Sequence, residues 1–292
     1  MKNRALRENG VHIALTGAAS TSILIVALIF VFLFREAIPF LQNPGVGALL
    51  DTQWIPVTFQ HPQYGLIPLI AGSVMVTVLA TLIAIPFGVI AAVYIAEIAY
   101  AYEREVLKPF IELLAGIPSV VLGFFGLVVV APLVSQVLDL RSGLNAFTGA
   151  LILALMAVPT IISISEDAIR AVPVSYKEAS MALGASKLQT VWRVTTPSAL
   201  SGIIAAVMLG MGRVIGETMA VLMVTGNAAN LTANPFESVR TMTATIASEM
   251  GEVAYGSVHY RALFWVGVVL LVMTFFINLV AQRVLRRYQE HE

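Results

Sequence analysis

The sequence predicts an all-α integral membrane protein with six transmembrane helices and a helix-turn-helix between the fourth and fifth. Three observations predict it. Hydrophobic residues make up 58% of the chain and charged residues 12%, against about 25% charged in soluble domains. Six apolar runs are each long enough to cross a hydrocarbon core of about 30 Å, which takes roughly 20 helical residues. The runs are apolar all round, whereas a surface helix of a soluble domain carries a single apolar stripe.

The runs lie at residues 11–34, 66–96, 113–138, 146–165, 198–225 and 262–282. The first follows Lys2, Arg4 and Arg7, as a signal peptide would. Its apolar stretch is too long for that, and Phe34-Arg35-Glu36 has no small-residue cleavage site, so it is expected to stay as a span. The second holds Pro86, which predicts a kink or tilt. Residues 1–65 form an N-terminal helix with its loop, and 66–285 a core of five helices. Of the seventeen Lys and Arg, twelve fall on the side of the N terminus, four on the opposite side, and Arg213 within a span. That bias predicts a multi-pass protein of the cytoplasmic (inner) membrane with both termini cytoplasmic.

Two outer loops are long. The loop at 35–65 is rich in Pro and Gly. The loop at 226–261 places Met242, Ile246 and Met250 at helical spacing, which reads either as an interfacial helix or as a loop helix packed on the bundle. Between the fourth and fifth spans, Ser175 to Glu178 has capping-box spacing and predicts a helix running to Leu183. Gly184 is placed to end it in a left-handed turn. Ser186 to Gln189 repeats the capping-box pattern and predicts a second helix that stops before Pro197. Met181, Leu188 and Trp192 give this unit an apolar face, which packs either under its own bundle or on a cytosolic partner.

That segment resembles the EAA motif of ABC importer permeases: Glu178-Ala179-Ser180, three residues, Gly184, nine residues, then Val194-Thr-Thr-Pro197. Ser180, Val194 and Thr196 depart mildly from the motif's Ala, Ile and Leu. The resemblance implies the type I ABC importer permease fold. It also implies that Glu178, Ala179, Ser180, Gly184, Leu188 and Pro197 dock on an ATPase subunit. Arg213-Val-Ile-Gly-Glu217-Thr-Met-Ala220 is similar to the corresponding segment of PstC-type permeases of the phosphate ABC importer. The companion PstA-type subunit usually lacks the Met-Ala.

Arg213 and Glu217 are the only charges between residues 198 and 225. A charge at the bilayer centre costs about 2.5–3.5 kcal/mol on insertion scales. Four residues apart on a helix, the two are expected to share one face. They then form either a bundle-stabilising ion pair or a site for something charged. A buried pair often recovers no more than its desolvation cost. A guanidinium fork matches a tetrahedral oxyanion, and a carboxylate accepts a hydrogen bond from protonated phosphate, whereas ionised sulfate has no proton to give. The expectation is a weak anion contact at Arg213, tuned by Glu217, on the substrate pathway. Gly210, Gly212 and Gly216 read as close helix packing that also leaves room beside the charges. One continuous segment joins 178–197 to the pair, so movement of the docking helices is expected to reach it directly.

The chain has no cysteine and no Gly-x-x-x-x-Gly-Lys phosphate loop. His12, His61, His259 and His291 have no metal-ligand spacing. Glu166-Asp167 reads as solvated surface, and Glu112 as interfacial. The chain is therefore expected to be a transport subunit with no catalytic, metal or nucleic-acid site and no cofactor of its own. ATP and Mg would be held by partner ATPase chains. The resemblance implies a PstA-type second permease, two PstB-type ATPases and a PstS-type external binding protein. Competing readings are a permease for sulfate or molybdate, a proton-driven secondary transporter using Glu217, and a non-transporting scaffold.

Overall fold

The computed structural model describes residues 2–58 and 61–289, with side-chain surroundings described for 11–58, 61–280 and 282–283. His291 lies outside the described residues, and the side chains of Lys2, Arg4, Arg7, Arg286 and Arg287 outside the described surroundings. Helix α1 (Lys2–Phe40) leads to a hairpin of β1 (Trp54–Ile55) and β2 (Gln63–Tyr64). Helix α2 (Ile67–Val93) widens into a π-turn to Ile98. Then come α3 (Ala101–Gly116), α4 (Ser119–Phe125) and α5 (Ala131–Val137), the last two joined by a π-turn. Helix α6 (Ala146–Arg170) precedes α7 (Val174–Ala182), α8 (Lys187–Thr190) and α9 (Thr196–Ser198). The chain ends with α10 (Leu200–Ile215), α11 (Met219–Val224), α12 (Met242–Glu249) and α13 (Val258–Gln289).

Among the described residues, five helices are long and apolar enough to cross a membrane, and a sixth if the bent pair 187–198 and 200–215 counts as one. The end of the bundle that holds α7 and α8 is called lower here. The centre is α6, packed against α2 on one side and α10 on the other. Two glycines allow this close approach. A Cβ at Gly88 of α2 would lie 2.7 Å from Ile161, and one at Gly210 of α10 would lie 2.8 Å from the same side chain. Small residues at such crossings let helix backbones pack tightly where lipid offers no hydrophobic drive. Helix α13 lies against α10, and α1 lies outermost on α13. The Trp265 indole donates to the Ala37 carbonyl at 2.7 Å and fixes that outer pair.

Three expectations change, and one left open between two readings is decided. The third span starts at Ser119, because Ile117-Pro118 breaks the helix; residues 113–116 complete α3 instead. Ser175 does not cap α7, which begins one residue earlier behind Pro173, with no side-chain cap. The second loop helix does not stop before Pro197. A π-turn at Val191–Thr195 widens the coil so that Pro197, lacking an N–H, enters α9's first turn. The chain then bends by 67° into α10. The helix of the second upper loop, α12, packs on the bundle with Met242 fully buried, so it does not lie on an interface.

Candidate functional site

Helix α10 has 16 residues and is about 24 Å long, too short to cross the hydrocarbon core by itself. It ends at Ile215, and α11 completes the span from Met219. Arg213 and Glu217 therefore do not share one helical face. The Glu217 carboxylate turns onto the second half, where Oε1 accepts the Met219 N–H at 3.1 Å and the Ala220 N–H at 3.2 Å. Those are orphan donors of a helix start, which favours negative charge. The Glu217 carbonyl accepts from the Thr243 hydroxyl of α12 at 2.8 Å.

Arg213 points the other way. Its Nη2 donates to the Ala115 carbonyl at 3.5 Å, a long contact. Ala115 lies in the last turn of α3, where carbonyls lack helical partners and the helix end favours a cation. Among the described residues Arg213 forms no ion pair with Glu217 or any other carboxylate. Both side chains are half-buried. Above the break, α4 and α11 touch closely: a Cβ at Gly123 would lie 2.9 Å from the Ala220 Cα. The interruptions at Ile117–Pro118 and Gly216–Thr218 thus adjoin across two helices. Gly210 packs as expected, whereas a Cβ at Gly212 would meet nothing within 4 Å, which leaves room beside Arg213.

The loop motif is built largely as its spacing predicts. Gly184 has φ +88°, a left-handed conformation that glycine adopts without strain. Its N–H bonds to the Met181 carbonyl, and the Ala185 N–H to that of Ser180. Ser186 and Gln189 form the reciprocal capping box, at 3.3 and 2.8 Å. The Ser180 and Thr190 hydroxyls, 3.0 Å apart, tie the two helices together. Glu178, Ala179, Leu188 and Pro197 are exposed, as are Met181 and Trp192. The apolar face does not pack under its own bundle.

Glu166 corrects its expectation. It is 1% exposed, with Lys108 Nζ at 2.7 Å and Arg170 at 3.2 Å, because α3 closes over it; Asp167 remains at the surface. The hydrogen bond to Glu166 holds the Lys108 ammonium above the ordinary lysine range, with burial opposing it. Arg104 donates to the Ile95 and Ala96 carbonyls at the foot of α2. Lys177 of α7 pairs with Glu97 at that same foot. Helix α3 is thus gripped from the lower end up to Arg213. The signal was present in the sequence: Arg104, Lys108, Ile111 and Ala115 recur at helical spacing, ahead of Gly116-Ile-Pro118.

Comparison with known proteins agrees with this architecture. Residues 84–290 match the family of binding-protein-dependent transport system inner membrane components. The chain is 41% identical over 277 residues to a probable ABC transporter permease protein, YqgH, of Bacillus subtilis (strain 168), covering 94% of this chain and 89% of that one. It is 33% identical to the phosphate transport system permease protein PstC of Mesorhizobium japonicum, covering 97% and 91%. It is 35% identical to PstC 1 of Mycobacterium tuberculosis (strain ATCC 25618 / H37Rv), covering 86% and 85%. Among solved structures, a bacterial ABC transporter involved in alginate import superposes with TM-score 0.58 at 16% identity, covering 91% of this chain and 98% of that one. An inward-facing methionine ABC transporter, MetNI, gives 0.57 at 21%, covering 77% and 94%. The fold is that of ABC importer permeases. The chain belongs to the family of binding-protein-dependent transport system inner membrane components.

Proposed function

We propose that, as a member of this family, the chain is one permease half of an ATP-driven importer that moves inorganic phosphate into the cell. The observation that carries this reading is Arg213: a half-buried guanidinium in an otherwise apolar span, with a long main-chain contact and no carboxylate partner among the described residues. Such a fork is suited to meet a tetrahedral oxyanion briefly. Glu217, held on the next half-helix, supplies negative charge that keeps the contact weak and accepts a hydrogen bond from protonated phosphate. The relatives named as phosphate permeases support the choice of anion.

In this reading Glu178, Ala179, Ser180, Gly184, Leu188 and Pro197 form the seat of an ATPase subunit. The exposed Met181, Leu188 and Trp192 supply its apolar contacts. ATP and Mg are held by two PstB-type partners, a PstA-type permease completes the pathway, and a PstS-type protein delivers the anion. Both termini and the α7–α8 loop face the cytoplasm in this reading, which the Lys and Arg bias supports.

The reading is tested by ATP-dependent uptake in vesicles containing the whole importer, with phosphate and sulfate compared side by side. Phosphate uptake that sulfate does not match supports it. A preference for sulfate or molybdate would assign the site to another oxyanion. Uptake that survives loss of the ATPase but collapses with the proton gradient would assign the chain to secondary transport.

A further inference from the structure

The break at Glu217 is supported from above by α12. Thr241, Thr243 and Thr245 are all buried at its start, which is unusual for three hydroxyls in an apolar bundle. Thr241 caps the helix by accepting the Ala244 N–H at 3.2 Å. Thr243 reaches sideways, and its hydroxyl donates to the Glu217 carbonyl at 2.8 Å. That carbonyl lies where α10 has already ended, so it needs a donor from elsewhere. Ser73 of α2 accepts the Met242 N–H at 2.9 Å. A Cβ at Gly72 would lie 2.5 Å from the Arg240 carbonyl, so only glycine lets α2 approach this closely.

The far end of α12 is tied as firmly. Glu249 accepts from Arg240 at 2.6 Å and from the Trp54 indole at 3.1 Å, and it lies 2.8 Å from His259. One carboxylate thereby joins the first upper loop, the second upper loop and the start of α13. Beside it opens a depression of about 520 Å³, lined by Trp54, Val57, Glu249 and Glu252 among others. Val57 and Glu252 are exposed there.

We propose that α12 is a latch that positions Glu217: Thr243 holds the main chain at the break, and Glu249 ties the latch to the upper loops, where a substrate-delivering partner that presents basic and apolar side chains seats against Glu252 and Val57. This rests on the assignment of Glu217 to the anion pathway. The partner's arrival then reaches Glu217 through one short helix, and Thr243 is a positioning residue that need not touch the anion.

The test uses the complete importer in vesicles, with its ATPases and binding protein, and the variants Thr243→Val, Thr243→Ser, Glu249→Gln and Glu217→Gln. Valine keeps the shape of threonine and removes the hydroxyl that bonds the Glu217 carbonyl and lies 3.2 Å from the Thr241 hydroxyl; one hydrogen bond is worth between about twofold and tenfold. Thr243→Val is expected to lower binding-protein-stimulated phosphate uptake by that factor, with basal ATP hydrolysis and complex yield unchanged. Thr243→Ser restores uptake, and Glu249→Gln lowers the stimulation of hydrolysis by the binding protein in the same range. Wild-type behaviour of Thr243→Val beside an impaired Glu217→Gln overturns the latch while leaving the pathway reading intact. Normal uptake by Glu217→Gln overturns the pathway reading and, with it, the latch.

Discussion

Arg213 closes one helix and Glu217 opens the next, and each is held by a different neighbour. The guanidinium donates to the Ala115 carbonyl at the end of α3, while the carboxylate accepts the Met219 and Ala220 N–H groups at the start of α11. The two charges sit on opposite sides of a backbone interruption with no ion pair between them. A span broken at this point exposes main-chain groups at membrane depth, which is tolerated only where protein or water satisfies them. Thr243 and the Glu217 carboxylate do so here.

Fork geometry distinguishes an anion contact from a bare charge. Arg213→Lys keeps the charge and loses the planar pair of donors. Phosphate uptake is expected to fall by about tenfold, roughly the worth of one charge-assisted hydrogen bond, with the importer still assembling. Uptake rates in vesicles, normalised to incorporated complex, check it.

The buried Glu166 carboxylate depends on Lys108. Lys108→Met leaves it with Arg170 alone and is expected to cost about 1–3 kcal/mol, the penalty of a lost hydrogen bond to a charged group. The double change Lys108→Met with Glu166→Met recovers most of that loss, because an apolar pair of similar volume carries no desolvation cost. Thermal unfolding of the purified complex reads both.

The same pair sets a pH window. Lys108 has a raised folded-state pKa, chiefly through Glu166. Its stabilisation is therefore complete below the unfolded lysine value, about 10.4, and is lost as pH rises through the higher folded value. The stability gap between wild type and Lys108→Met is expected to stay constant from pH 6 to about 9 and to narrow only above about 10.4, as read by melting temperature against pH.

The lower loop offers a test of docking that leaves the bundle alone. Leu188 is 59% and Trp192 53% exposed, so replacing both with Ala removes little packing within the chain. If this face seats the ATPase, the double variant weakens retention of the ATPase by more than about 1 kcal/mol, as buried aromatic anchors do. Copurification and ATPase titration measure the change. Gly184→Ala, which forces a side chain onto φ +88°, is expected to act in the same direction at a cost of about 1–2 kcal/mol.

Some of this was legible in the sequence. The six apolar runs, the glycine turn at Gly184 and the box at Ser186 and Gln189 follow from local chemistry that neighbours do not override. Two features were not legible. Gly210, Gly212 and Gly216 share one reading in the sequence, close packing that leaves room beside the charges, yet Gly210 meets Ile161 whereas Gly216 lies at the end of α10. Nothing local distinguishes a glycine that permits an approach from one that allows a break. Glu166 looked like surface because its burial depends on α3, which arrives from 58 positions away. The expected direct path from the loop motif to Arg213 is also altered. It now turns through a 67° bend, and a second connection runs from Lys177 to Glu97 and along α3 to Ala115.

The central claim is that an anion passes Arg213 in the broken fifth span. Its most direct measurement is ATP-dependent uptake of labelled phosphate by the reconstituted importer carrying Arg213→Gln. Loss of uptake with ATP hydrolysis retained is the predicted result. Uptake at the wild-type rate, with Arg213→Gln fully assembled, would contradict it and reduce Arg213 to a fastening between α10 and α3.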